Sequence, residues 1–397
     1  MSKWQQVKLN DCCTSISDGD HQAPPKSESG IPFVTISNID CYNSLDFSNV
    51  MYVPQMYYDK LDNKRKAQKG DIIYSVVGSF GIPVLIKDNT PFVFQRHIAI
   101  LKPGGDLDSR FLYYTMLNKD FYHKADAVAI GAAQRTISLT ALRNLEISLP
   151  QIEIQRKIAD VLSAYDDLIE NNRKQIKLLK EAAQRLYKEW FIDLRFPGHE
   201  NTKIINGIPE RWEKKPISAI AEYLNGFAFK PSDWQKEGKP IIKIKEMNQG
   251  ISDDTPRNNG ANIPLKYLIR SGDILFSWSA TLSVMIWNQE DGWLNQHLFK
   301  VTPVKGFSKE FVLQAIANTL NEFQNLTTGA TMKHIQRGKL DEVFVNVPPY
   351  AIMNVFSSCA ETIRNKILLL SKQIQDARET RNRLLPKLMT GELEVEP

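Results

Sequence analysis

The most regular arrangement of apolar and polar positions falls in two stretches of the chain. In the first, Ile158, Leu162, Tyr165, Ile169, Asn172, Ile176, Leu179, Ala183, Leu186 and Trp190 follow one another at alternating spacings of four and three residues. In the second, Phe356, Ala360, Ile363, Ile367, Leu370, Ile374, Ala377, Arg381, Leu384 and Leu388 repeat the pattern, each 198 residues after its counterpart. About five heptads of this kind put one apolar stripe along a helix and predict a coiled-coil seam. Asn172 and Arg381 interrupt the stripe, and polar residues at such positions fix register at some cost in stability. A helix of about 40 residues spans roughly 60 Å, at about 1.5 Å per residue.

Leu149-Pro150 and Val347-Pro348-Pro349 mark where these helices begin. Ahead of each lies a mixed segment of short β-branched and aromatic runs broken by Gly, Pro and Asn, which reads as an α/β or mostly β globule. The two halves repeat one another. Trp4 and Trp212 are related by 208 residues, as are Gly30 and Gly238; Gly70 and Gly272 are related by 202, and His97 and His297 by 200. From Gly131 and Gly329 to the chain end the offset stays at 198. It slips only before that point, as expected where loops differ and the scaffold does not. The predicted fold is α+β: two α/β-type globules plus two long helices forming an antiparallel coiled coil, a pseudo-two-fold internal repeat with one globule at each end. Residues 1–150 and 211–348 are assigned to the globules and 151–196 and 349–390 to the helices, with 197–210 as a linker and 391–397 as a tail.

Composition narrows the picture little further. A chain of 397 residues exceeds one ordinary core, and 42% hydrophobic with 24% charged residues is the balance of a soluble globular protein. The formal net charge of +5 is compatible with nucleic acid without being diagnostic. The uncharged run 72–86 contains Ser75, Gly78, Ser79, Gly81 and Pro83 and falls short of the roughly 20 apolar residues of a membrane helix. Two strands and a turn explain it. No basic-then-apolar stretch opens the chain, so no signal peptide is expected. Cys12, Cys13, Cys41 and Cys359 show no CxxC or metal-ligand spacing, and reduced thiols in a cytoplasm are expected.

Catalytic patterns are lacking. Asn346-Val347-Pro348-Pro349-Tyr350 resembles the Asn/Asp-Pro-Pro-Tyr/Phe element of amino-methyltransferases, but Val347 interrupts it. No glycine-rich loop after an early strand accompanies it, and it reads as a proline-marked helix start. There is no phosphate-binding loop, H-E-x-x-H or G-x-S-x-G. The chain reads as a binder with no catalytic residue, metal site or cofactor of its own.

Other motifs form an ordered set. Asp18-Gly19-Asp20-His21-Gln22-Ala23-Pro24 is followed by Gly30-Ile31-Pro32-Phe33 and Ser37-Asn38-Ile39. Asn225-Gly226-Phe227-Ala228-Phe229-Lys230 precedes Gly238-Lys239-Pro240 and the run 241–247. Gly70-Asp71-Ile72, Gly272-Asp273-Ile274-Leu275 and Leu294-Asn295-Gln296-His297 come next, then closing segments from Gly131 to Ile137 and from Gly329 to Ile335, and an ending from Arg383 to Leu393. This set resembles the specificity subunit of type I restriction–modification systems over nearly the whole chain.

The resemblance implies that the first globule reads one half of a split site in double-stranded DNA and the second reads the other. The helices would act as a ruler for the unread spacer and as docking surfaces for two modification subunits. Those partners would carry S-adenosylmethionine and methylate adenines, and two motor–nuclease restriction subunits using ATP and Mg would join them. Rival readings are the specificity subunit of a type II system with paired recognition domains, a fused methyltransferase with degenerate motifs, and a coiled-coil scaffold without a DNA role.

Base edges are read by Arg, Lys, Asn, Gln and Ser/Thr, and phosphates largely by Arg and Lys. Gln95-Arg96-His97 and Asn295-Gln296-His297 occupy equivalent places and fit either base contacts or a satisfied turn. Gln134, Arg135 and Thr136, with Thr331, Lys333 and His334, follow a glycine step that suits a loop near phosphate or an ordinary solvated loop. His21 and Lys26 in the first opening, and Lys230, Lys243 and Lys245 in the second, are further candidates. Alternation with Ile242 and Ile244 puts Lys243 and Lys245 on one strand face. Trp278, opposite Val76 in the repeat, fits a stacking role or a place in the core.

Overall fold

The computed structural model describes residues 4–19, 24–40, 42–131, 134–252, 254–279, 281–326 and 337–395. Contacts divide the chain into two units, residues 1–170 with 374–397 and residues 171–373, so each holds one globule and part of each long helix. The first long helix is Ile152–Phe191 and the second Tyr350–Thr390. No helix among the described residues is long and apolar enough to cross a membrane.

In the first unit an antiparallel sheet runs in the order Cys13–Asp18, Ile98–Pro103, Ile72–Ser75, Pro83–Leu85. A mixed sheet sets Ile31–Val34 between Met51–Val53 and Val93–Phe94. Successive side chains of a strand point to opposite faces. Ile72 and Tyr74 therefore join Phe111, Leu112 and Phe121 of the helices Ser109–Leu117 and Lys119–Val128, while Ile73 joins Val34, Val84 and Phe94. Burial on both faces is why this strand reads as an unbroken apolar run.

The Gly-Asp-Ile repeat is a clamp. Asp71 meets Lys102 on the neighbouring strand at 2.5 Å and accepts the Gln68 N–H that closes the preceding turn. In the second unit Asp273 does the same with Lys300, at 2.8 Å, and with the Arg270 N–H.

Segments of both long helices pack on the first globule. Ile158, Ala159 and Leu162 of the first helix and Leu385, Leu388 and Met389 of the second share its main core. Asp166 accepts from Arg381 at 2.5 Å and from the Tyr114 hydroxyl at 2.7 Å. Gln155, fully buried, accepts the Asp108 N–H and donates to the carbonyls of Asp106 and Pro150.

The second unit has sheets ordered Ala221–Asn225, Leu298–Pro303, Ile274–Ser277, Ser283–Ile286 and Arg257–Asn258, Lys239–Ile242, Gly292–Leu294, Leu268–Ile269. The helix Lys309–Leu326 packs into the main core. Tyr187 and Phe191 of the first long helix pack on Phe356 of the second, with ring centroids 6.0 and 4.9 Å apart, and Asn172 donates to Gln373. Early residues of one helix thus face late residues of the other, and the segments run antiparallel.

Along the seam Ile158, Leu162, Ile169, Asn172, Phe356, Leu370 and Ile374 are buried. Tyr165, Ile176, Leu179, Leu186, Ile363, Ile367, Arg381 and Leu384 are half-buried. Tyr187 and Phe191 precede Leu385 and Met389 by 198 residues, so the repeat extends to buried positions beside the stripe.

The expected linker is folded. Ile204–Ile205 pairs with Ile208–Pro209 across Asn206 and Gly207, whose φ values of 51° and 81° make the two-residue turn that Asn-Gly favours. Just before it, Phe196 is buried against Trp212.

Candidate nucleic-acid interface

Four segments of the first globule converge at one end of its sheets. A Cβ on Gly19 would lie 2.1 Å from the Phe94 carbonyl oxygen and 2.6 Å from that of Gln95, so only glycine allows the opening segment to press on the turn that follows. That turn, Gln95-Arg96-His97, is closed by the Ile98 N–H donating to the Gln95 carbonyl. The His97 carbonyl accepts the Val76 N–H, the Val76 carbonyl accepts the Ile137 N–H, and the Arg135 carbonyl accepts the Gly78 N–H. Thr136 bridges Val77 and Ile130. The backbone therefore gathers Gly19, 76–78, 95–97 and 134–136.

Their side chains differ in availability. Arg96 and Gln134 are exposed, Gln95 and His97 half-buried, and Lys26 exposed ahead of Ile31–Val34. The Arg135 guanidinium is taken up by the carboxylate and carbonyl of Asp126, at 2.5 to 3.0 Å. Burial, then the neighbouring Arg96 charge, hold the His97 imidazole below its ordinary pKa. At neutral pH it offers one donor and one acceptor.

The second globule forms the same junction with other residues. A Cβ on Gly226 would lie 2.1 Å from the Asn295 carbonyl oxygen, and the Gln296 N–H donates to the Phe227 carbonyl. Trp278 donates its indole N–H to the Asn225 side chain at 3.2 Å, and its ring lies 5.9 Å from those of His297 and Phe299. Asn295 is buried, with its side-chain oxygen turned to the His297 N–H at 3.4 Å. It orders the turn, while Gln296 and His297 remain half-exposed. Lys230 is exposed, its backbone N–H held by Asp233.

Lys243 and Lys245 do not share a strand face. The strand ends at Ile242, and Ile244–Gln249 is a helix. Glu246, three residues on, accepts the Lys243 N–H and starts that helix. Lys243 lies over the Trp234 ring at 5.4 Å, and Lys245 pairs with Asp254 at 2.6 Å. His21, Thr331, Lys333 and His334 lie outside the described residues.

Sequence reasoning passed over Ser75 and Ser277, both buried where the central strands meet this junction. Ser75 accepts the Ile82 N–H, and Ser277 donates to the Thr281 carbonyl, so each orders its following loop. Their signal was the shared last residue of Gly70-Asp71-Ile72-Ile73-Tyr74-Ser75 and Gly272-Asp273-Ile274-Leu275-Phe276-Ser277.

The family model for the type I restriction modification DNA specificity domain matches residues 1–181 and 209–376. The type I restriction enzyme MjaIX specificity subunit of Methanocaldococcus jannaschii is 26% identical over 83% of this chain and 78% of its own length. The HindI specificity subunit of Haemophilus influenzae is 22% identical over 99% of this chain and all of its own length. The crystal structure of the S subunit of a type I system from M. genitalium is alike in fold, with TM-score 0.53 and 17% identity over 98% of this chain and 96% of that one.

Proposed function

This chain belongs to the type I restriction–modification DNA specificity family, and from that premise we propose that each globule reads one half of a split site in duplex DNA. The observation that carries the reading is one scaffold ending in two unlike tips. Asp71 and Asp273, Gly19 and Gly226, and Ser75 and Ser277 occupy matching places, and each aspartate pairs with a lysine of the neighbouring strand. Around them the first tip offers Gln95, Arg96 and Gln134 where the second offers Trp278 and Gln296, with His97 and His297 common to both. A conserved frame with exchanged polar tips suits two different short sequences read by base-edge contacts.

The long helices would set the unread spacer, since a rigid body fixes half-site separation. They would also dock two modification subunits. Exposed Val161, Leu168 and Leu178 on the first helix, with Val355 and Leu369 on the second, support that role. S-adenosylmethionine would sit on those subunits, and ATP and Mg on the restriction subunits that join them. This chain supplies recognition and makes no bond itself.

The test is methylation sequencing of cells expressing the chain with its modification subunit, beside cells lacking the chain. A new split motif with methyladenine in both halves is expected. An active modification subunit that gains no motif from this chain would overturn the reading.

A further inference from the structure

We infer that Trp234 and Lys243 form a second DNA contact of the second globule, beside the Asn295-Gln296-His297 turn. The indole packs on a sugar or base edge and the ammonium neutralises a flanking phosphate. This rests on reading that globule as a reader of duplex DNA.

Trp234 is 51% exposed, whereas Trp287 and Trp293 of the same globule are buried and donate their indole N–H groups to carbonyls. An aromatic ring left in water keeps a large apolar face to be covered by a partner. The backbone that carries it is held in place. Pro231–Asp233 forms a single helical turn, the Trp234 N–H donates to the Pro231 carbonyl, and Gln235 exchanges backbone hydrogen bonds with Arg257. The Asn258 side chain donates to the Asp233 carbonyl at 2.7 Å. A ring presented on ordered backbone loses little entropy on binding.

Position and charge point to DNA as the occupant. Lys243 directly follows the strand ending at Ile242, whose carbonyl accepts the Asn295 N–H at 3.1 Å, so the Trp234–Lys243 pair abuts the turn. Residues 230–245 carry five lysines against Asp233 and Glu237; Lys239 pairs with Asp291 and Lys245 with Asp254 outside the segment, so Lys230, Lys236 and Lys243 make the local excess. The Asp233 carboxylate is already engaged by the Lys230 N–H. That surplus of lysine matches a phosphate backbone.

The repeat adds an independent argument. At the offset of 208 that relates Gly30 to Gly238, Trp234 falls on Lys26, an exposed residue at the same place in the first globule. One position carries a cation in one tip and an indole in the other, as two unlike half-sites require.

The test uses the full chain assembled with its modification subunits. The probes are a labelled duplex bearing the methylated split motif and two versions with one half scrambled in turn. Trp234→Ala should weaken binding to the intact motif about 30-fold, within the range for a buried aromatic anchor. Trp234→Phe should retain part of it, and both should melt like wild type. The loss should vanish when one particular half is scrambled, and Lys243→Gln should lower the salt slope by about one.

If wild type discriminates among the duplexes and Trp234→Ala binds all of them equally well, the inference fails and the reading of the globule stands. If Trp234→Ala instead impairs only assembly with the modification subunits, the ring faces protein and the inference fails. A wild-type complex that does not discriminate would overturn both.

Discussion

Replacing Gln155 by methionine asks how firmly the first long helix is tied to its globule. The second copy of the repeat has Met353 at this position, buried in an apolar core, so the exchange borrows a side chain that the fold already tolerates there. The volumes are similar and the packing change is small. What is lost is three hydrogen bonds, to the Asp108 N–H at 2.9 Å and to the carbonyls of Asp106 and Pro150 at 3.0 and 2.8 Å. At about 1 kcal/mol each, with some relief from water at the exposed Asp106, the cost is roughly 2–3 kcal/mol. For a unit of this size that lowers the melting temperature by roughly 4–12 °C. Calorimetry following each unit's transition is the assay. The reverse change, Met353→Gln, buries an unpaired amide and should destabilise the second unit by about 1–3 kcal/mol. A loss below about 1 kcal/mol for Gln155→Met would refute the claim that this amide ties helix to globule.

Arg381→Met should cost about 2–3 kcal/mol because it strands Asp166, which is 20% exposed, and Asp166→Asn with Arg381→Met should recover most of that. Urea unfolding of the single and double variants gives the coupling, and equal losses would mean the pair is idle. Lys102→Met, from a pair with side chains 16% and 10% exposed, should cost about 2–3 kcal/mol. Lys245→Met, from a pair 47% and 71% exposed, should stay within about 0.5 kcal/mol, and comparable losses would contradict the burial argument. His97 titrates below its ordinary 6.5 in the folded chain, so the unfolded chain takes up that proton first as pH falls. Wild-type stability should therefore decline below about pH 6.5 relative to His97→Gln, and parallel profiles would exclude His97 as a contributor.

The long-range plan was legible because it is periodic. Alternating spacings of four and three survive any local override, and the same positions 198 residues apart carry the seam in both helices. Shorter signals failed where a local contact outweighed them. Lys243 and Lys245 alternate with isoleucines over only four residues, and Glu246 captures the Lys243 N–H to begin a helix instead. Asn206-Gly207 is a hairpin turn inside the expected linker, and its strands of two residues each are too short to leave a periodic signal. Asn295 has the chemistry of a base reader, but the turn consumes its oxygen. Tyr187 and Phe191 are buried beside the stripe, where a seven-residue repeat has no position for them, because the globule covers that helix face.

The most direct test of independent reading exchanges one globule. Residues 1–150 would be replaced by the corresponding segment of a relative, and the methylated motif sequenced in cells carrying the modification subunit. The account predicts a change in one half of the motif, with the other half and the spacer retained. A change in both halves would contradict it.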